Sequence, residues 1–502
     1  MSESRLTPQP TLRPAVLIDS NLFIAAEDNP EGHVYGAEAA ELVRLVPEVG
    51  FQLLLSQGTR SDILQAPPAV RERRHRQLAK YTVLAAAPVN QSVREQFPAV
   101  LTSNNSADIE VLNTFATGRA RWLVTEDAQM RGRAIRAGLD GVLSLTEALD
   151  FLHSLKSPAT VHGPAVYEVE GYQVQLGASI FDSLRADYEG FDDWWRDKVS
   201  NRPVIVLGDT EDPQGVGVLK AETAPYGLTG DLLKICTFKV AERVQGDKRG
   251  ELLLRACLDH ARQHRLDGCY LEVLPDKQEL LAWLAAFGFT VLPGAATVRG
   301  EHVLVKHLHP PADTQADVSP ADPLSPLAHH IAYGPGSLLL ERAHVVPIVD
   351  HWLNQLMPDV TGGDLFTGTE GCGNAIRKAY LCHAPTNKLA PGDALLFMRT
   401  GAGPSNVCAV GVVEATRRSS EPDDIIAFVG TRTVYSRASI EAQCATHPVL
   451  AVLFRHDGPL PHPILISDLV SAGVLNGTPQ SITEVSPEGV AWLRQRSQTS
   501  DE

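Results

Sequence analysis

Three aspartates in the first 130 residues carry the clearest chemical signal. Asp19 directly follows the apolar run Ala15–Ile18, and Asp127, with Glu126 before it, follows Trp122–Thr125. Asp108 lies in Ser106-Ala107-Asp108-Ile109-Glu110, after two asparagines and before a helical stretch, which predicts a place in the first turn of a helix. Asp62, within Ser56–Leu64, is a fourth candidate at another strand-to-helix passage. Clustered carboxylates repel and raise one another's pKa. A hard divalent cation such as Mg²⁺ or Mn²⁺ removes that penalty, because it takes oxygen ligands. So held, it activates water and stabilises charge on a phosphoryl group. Each residue taken alone suits a plainer role, since Asp after a strand caps helices and Asp in a first turn favours the dipole.

The elements that would position these acids are short apolar strands alternating with helical segments up to about residue 153. Ala15–Ile18, Trp122–Thr125 and Val142–Leu145 read as strands, and such alternation predicts a parallel sheet with flanking helices. In such a sheet the carboxyl ends of the strands open onto the ligand crevice, where Asp19 and Asp127 would stand.

The segments Val16–Ile24, Ser106–Leu112 and Leu123–Leu149 together resemble a PIN domain over about 140 residues. The resemblance implies a nuclease in which Asp19, Asp108 and Asp127 are catalytic metal ligands, with Asp62 a fourth. Glu126 would then stand behind the ligands or at the surface. The basic run Arg71-Glu72-Arg73-Arg74-His75-Arg76 would track a phosphate backbone or form a solvated helix face.

A break at Ser157–Pro164 precedes a different pattern. Val204–Leu207, Gly215–Leu219 and Leu232–Val240 read as consecutive strands, followed by a helix from Gly250 to about His264 and a strand Cys269–Leu274. The turn Gln245-Gly246-Asp247-Lys248-Arg249-Gly250 precedes that helix, whose free N–H groups and positive dipole end suit a pyrophosphate. In this order the block resembles a GNAT acetyltransferase over about 145 residues. The resemblance implies acetyl-CoA bound by the backbone of Gln245, Gly246, Asp247, Lys248, Arg249 and Gly250. Lys248 stands where the family has its first glycine, and Leu284 where many relatives have a tyrosine acid. Glu272, on the Cys269–Leu274 strand, is the candidate catalytic base.

Residues 309–328, rich in Pro, Asp and Ala, read as a linker. The block beyond is strand-rich with Gly, Pro, Asn and Asp turns, which predicts a small barrel. Ile376–Leu381, Lys388–Phe397 and Cys408–Glu414 resemble a PUA-like domain of the ASCH/EVE sort. The resemblance implies RNA binding, with Arg377 and Lys378 on phosphate and Tyr380 stacked on a base. The tyrosine equally suits a place in the barrel's packing.

The expected architecture is therefore multidomain α/β and α+β: a parallel-sheet PIN-like nuclease domain at 14–155, a GNAT-like α+β domain at 165–308, a linker at 309–328, and a small PUA-like β-barrel domain at 329–498. The net charge of −16, from 44 Lys and Arg against 60 Asp and Glu, counts against bulk nucleic-acid binding, so that any such contact must come from a local patch. Seven cysteines, none in the first 235 residues and none at zinc-finger spacing, fit a reduced cytoplasm. No apolar run suits a leader or a membrane span, so no membrane partner is expected. The leading expectation is a metal-dependent endoribonuclease, toxin-like or RNA-processing, joined to an acetyl-CoA-dependent N-acetyltransferase. Its partners would be RNA, single-stranded or tRNA, and a protein inhibitor. The alternatives are an acetyltransferase whose flanking parts only bind RNA, and a non-enzymatic RNA-binding scaffold.

Overall fold

Apolar runs too short for helices become strands wherever both faces are covered. Ala15–Ile18 is such a run, and all four residues are buried. The computed structural model describes residues 14–28, 33–156, 164–244, 248–310, 324–362, 376–401 and 404–499. The expected linker therefore lies largely outside the described residues, as do Gln245, Gly246, Asp247 and Cys372.

The chain divides into two units: Met1–Lys156 with Glu421–Ala427, and Ser157–Ser420 with Phe428–Glu502. The first unit holds strands β1 (Ala15–Ile18), β2 (Gln52–Leu55), β3 (Thr82–Val83), β4 (Trp122–Val124) and β5 (Val142–Leu143). Its helices are α1 (Ser20–Glu27), α2 (Gly36–Glu48), α3 (Gln57–Ile63), α4 (Pro68–Leu78), α5 (Gln91–Arg94), α6 (Ser103–Ala116), α7 (Ala128–Arg136) and α8 (Leu145–Lys156). The strands pair in parallel in the order β3-β2-β1-β4-β5. Strand order reverses between β1 and β4, and at such a point a crevice opens at the carboxyl ends. The expected parallel sheet is thus present, and Asp19 and Asp127 follow the two strands that flank the reversal.

The second unit contains two sheets. The first has the order β11-β12-β10-β9-β8-β7-β6, built from β6 (Val166–Glu170), β7 (Pro203–Gly208), β8 (Pro213–Thr223), β9 (Asp231–Val240), β10 (Gly268–Val273), β11 (Thr290–Ala296) and β12 (His302–His307). Short helices α9 (Asp182–Asp187) and α10 (Phe191–Trp194) precede β7. The long helix α11 (Arg249–Gln263) follows β9, and α12 (Gln278–Ala286) follows β10. Leu252, Leu253, Cys257 and Leu258 of α11 pack into a core with Ile205, Leu219, Ile235, Cys269 and Leu271.

The second sheet has the order β14-β17-β16-β15-β13-β18, from β13 (Ala343–Val349), β14 (Arg377–Cys382), β15 (Ala394–Thr400), β16 (Asn406–Ser419), β17 (Val449–Leu465) and β18 (Thr483–Glu484). Among the described residues of this sheet only β13 and β15 pair in parallel. The strand-rich expectation holds, but the closed barrel does not: among the described residues the ladder runs from β14 to β18 without joining its ends. Helix α13 (Pro326–Tyr333) precedes β13.

Candidate functional site

In the first unit, the end of β1 delivers Asp19 into the interior, 3% exposed. Its Oδ1 accepts the Asn21 N–H at 2.6 Å, capping α1, and its Oδ2 accepts the Thr125 hydroxyl at 2.5 Å. Asp127 caps α7, with one oxygen accepting the N–H groups of Gln129 at 2.7 Å and Met130 at 3.0 Å. Asp108 sits in the second turn of α6 rather than the first. Thr102 caps that helix, so the two asparagines fall inside it. Its Oδ2 accepts from Arg133 Nη1 at 3.1 Å.

These three carboxylates feel one another. Burial pushes the Asp19 carboxyl up, against the pull of the Thr125 and Asn21 hydrogen bonds, and the charge of Asp127 adds to the rise. Burial, then the charge of Asp127, pushes Asp108 up to about 6, with Arg133 opposing and Asp19 adding. Asp62 lies near the end of the short helix α3 and is not among the charges that most perturb either. Glu126 accepts the Leu145 N–H at 2.6 Å and so serves the start of α8.

The cation expectation finds no support among the described residues. Among the described residues no group of three or more His, Cys, Asp or Glu side chains is placed to hold a metal ion. Both Asp19 oxygens are engaged, by a hydroxyl and a cap N–H, while Asp127 is bonded through Oδ1 to two cap N–H groups and Asp108 through Oδ2 to a guanidinium.

In the second unit the notable feature is a parting of strands. β9 and β10 pair in parallel at only three positions, Gly268↔Leu232, Cys269↔Leu233 and Tyr270↔Lys234. β9 nevertheless runs on to Val240, paired along its other edge with β8, while β10 stays paired with β12 to Val273. The sheet therefore opens beyond Lys234 and Tyr270. A register shift in β9 adds to the divergence, since Val218↔Thr237 is followed by Leu219↔Ile235 and Cys236 is the extra residue. A bulge of this kind bends and twists its strand.

The Lys234 and Glu272 side chains meet where the strands part, with Nζ to Oε1 at 2.6 Å. The Tyr226 hydroxyl donates to the same carboxylate oxygen at 2.5 Å. Burial and the Glu272 carboxylate push the Tyr226 phenol up. Next to them, Glu222 accepts from both Lys220 and Tyr270. Burial would raise the Glu222 carboxyl, but those two bonds bring it below its usual range. Sequence reasoning nominated Glu272 and missed Lys234 and Tyr226. Lys234 was legible as the residue that alternation sends to the same face of β9.

Helix α11 begins beside the opening. Its N-cap, Lys248, has φ 58°, the left-handed region that favours glycine. Lysine at this position thus adopts a conformation that glycine would take at less cost. A Cβ built on Gly250 would touch the Trp283 ring at 3.4 Å, an ordinary contact, so a bulkier side chain there would press on that ring.

Of the residues expected to contact RNA, Lys378 and Tyr380 are buried, and Arg377 is partly exposed and ion-paired. Arg377 Nε donates to Glu414 at 3.0 Å. Lys378 is 2% exposed and its Nζ donates to the Leu356 carbonyl at 2.5 Å. Tyr380 is buried in the core of the second sheet, its hydroxyl donating to the Pro347 carbonyl at 2.9 Å. Buried polar tips need partners, and main-chain carbonyls supply them for Lys378 and Tyr380 while the Glu414 carboxylate holds Arg377.

Residues 171–289 match the Acetyltransferase (GNAT) family. Solved structures with similar parts include ASCH from Zymomonas mobilis, 17% identical over 31% of this chain and 95% of that one, TM-score 0.23. Ard1 from Thermoplasma volcanium is 19% identical over 29% of this chain and 98% of that one, TM-score 0.23. The PaiA N-acetyltransferase from Thermoplasma acidophilum, in complex with coenzyme A, is 12% identical over 28% and 99%, TM-score 0.23. Likenesses at this level carry no functional argument. No curated protein matches the chain. The comparisons give no support for a PIN domain.

Proposed function

We propose that the block around residues 165–308 is an acyltransferase that uses a CoA thioester to acylate an amine. The observation that carries this reading is the parting of β9 and β10 beside the first turn of α11, within the segment that matches the GNAT family. The parted strand edges offer main-chain N–H and C=O groups to a ligand arm. A helix start such as that of α11 presents main-chain N–H groups and a positive dipole end to a pyrophosphate. When bound, the thioester supplies an activated carbonyl. Glu272 accepts the proton that the amine nitrogen sheds as its bond to carbon forms. That proton returns to the sulfur as the C–S bond breaks. Lys234 and Tyr226 hold the Glu272 carboxylate at the point of parting.

Calorimetry of the full chain with acetyl-CoA tests the reading. Binding is expected in the wild type and lost in Gly250→Trp, whose ring would collide with Trp283. The absence of heat at millimolar acetyl-CoA would refute it.

The first unit supports a second reading, metal-dependent cleavage of RNA. It rests on Asp19 and Asp108, two acids made costly to ionise by burial and by the charge of Asp127. A cation would relieve that cost once Arg133 withdrew from Asp108. Labelled RNA incubated with Mn²⁺, with and without chelator, should be cut by the wild type and on the order of 10²-fold more slowly by Asp19→Asn. Equal cutting by both would sink this reading.

A further inference from the structure

The outer face of α11 is not solvated. Every residue from Glu251 to Leu258 is buried, including Glu251 and Arg255. A helix buried all round has a second surface against it. Here that surface is the second sheet of the same unit. Ile376, the residue before β14, packs in the core that α11 shares with the first sheet. Arg255 Nη1 donates to the His456 carbonyl at 3.2 Å, and the Arg377 N–H donates to Glu251 Oε2 at 3.0 Å. Arg455, paired with Arg377 across β14 and β17, reaches the Ala286 carbonyl at 3.4 Å and lies 5.3 Å from the Phe287 ring centroid.

The place of Glu251 is unusual. It is the third residue of α11 after the cap Lys248. An acid there normally folds back toward the helix's own free N–H groups. In a helix that must offer those groups to an anion, such an acid would compete with the ligand. The structure turns it outward, onto the main chain of β14, and its charge acts on Arg455. The same contact ties the first turn of α11 to a strand more than a hundred residues away.

We infer that Glu251 is a positioning residue for CoA binding: by accepting the Arg377 N–H it holds the first turn of α11 open and in place, so the second sheet forms part of the acyltransferase site's framework. The inference rests on the acyl-CoA reading above. It gives the C-terminal block a role that needs no nucleic acid.

The test is calorimetry with CoA on the full chain, together with amide exchange of α11 and the melting temperature without ligand. Glu251→Ala should weaken CoA binding about tenfold, the scale of one charge-assisted hydrogen bond. It should also speed exchange at Gly250 to Leu252. Glu251→Gln keeps an acceptor oxygen and should stay within about threefold of wild type. Asp359→Asn disturbs the His456 pair elsewhere in the same interface (2.8 Å). It should lower the melting temperature without changing CoA affinity. If Glu251→Ala does not fold, Glu251→Asp takes its place, keeping the charge but shortening the reach. Wild-type affinity in Glu251→Ala, or a gain in both the Ala and Gln variants, would overturn the inference. A wild type that does not bind CoA would instead overturn the acyltransferase reading, and with it the premise.

Discussion

Replacing Asp108 by Asn should stabilise the first unit above neutral pH. The Asp108 carboxyl is raised from 3.8 to about 6, first by burial and then by the charge of Asp127. A raised acid pKa means that the folded state holds the proton more tightly than the unfolded state. The associated stability is complete below about pH 3.8 and is lost as pH climbs through 6. Discounted for the solvent screening of a part-exposed carboxyl, the rise corresponds to about 1–2 kcal/mol. Asparagine has the same size and no charge, so it mimics the protonated acid at every pH. The variant should therefore gain on the order of 1–2 kcal/mol at pH 8, and only a few tenths near pH 4. Amide exchange in β1 and β4 reads the local unfolding free energy directly. Millimolar Mn²⁺ at pH 8 adds a second arm, since a bound cation would stabilise the wild type and not the variant. An Asn variant less stable than wild type at pH 8 would mean that the Arg133 ion pair outweighs burial, and the electrostatic argument would fail.

Lys378→Ala should leave RNA binding unchanged and cost about 1–3 kcal/mol of stability, because it strands the buried Leu356 carbonyl. A filter-binding isotherm and a thermal melt separate the two effects, and weakened RNA binding in a variant of wild-type stability would restore the contact role. Lys306 makes a third case. It is 1% exposed and its Nζ donates to the Ile331 and Ala332 carbonyls, both at 2.9 Å. Burial, then the charge of Arg455, lowers it to about 7. Between pH 7 and 10 the unfolded chain carries a proton there that the folded chain has released, so stability from this group rises with pH across that window. Lys306→Met should flatten the rise in a pH series of melting temperatures, and an unchanged profile would refute the assignment.

The sequence was most readable where burial is decided locally. Ala15–Ile18 and Leu232–Val240 are continuous or alternating apolar runs, and both are strands at nearly the expected bounds. Asp108 was misplaced by a turn because the adjacent asparagines suggest a loop, whereas the cap that starts α6 is Thr102, further upstream. The parting of β9 and β10 was invisible because it depends on which residues pair across the sheet. The barrel failed for the same reason, since closure depends on edges far apart in sequence. At 377–380 the residue types fitted RNA chemistry, but the carbonyls of Leu356 and Pro347 that satisfy Lys378 and Tyr380 lie more than twenty residues upstream.

The fate of the charged residues also bears on where a polyanion could dock. Reading α11 as amphipathic would place Glu251, Arg255 and Asp259 on a wet face, yet Glu251 and Arg255 are buried against the second sheet. Lys306, Lys378 and Arg455 are likewise interior. A chain with net charge −16 that spends so many of its cations inside presents a surface still poorer in positive charge. The stretch singled out for its basic residues keeps several of them exposed. On α4, Arg71, Arg73, His75 and Arg76 are exposed, although Arg73 and its neighbour Arg74 pair with Asp28. If this protein meets nucleic acid through its folded surface, charge balance directs the search to that helix in the first unit and away from the buried cations of the second.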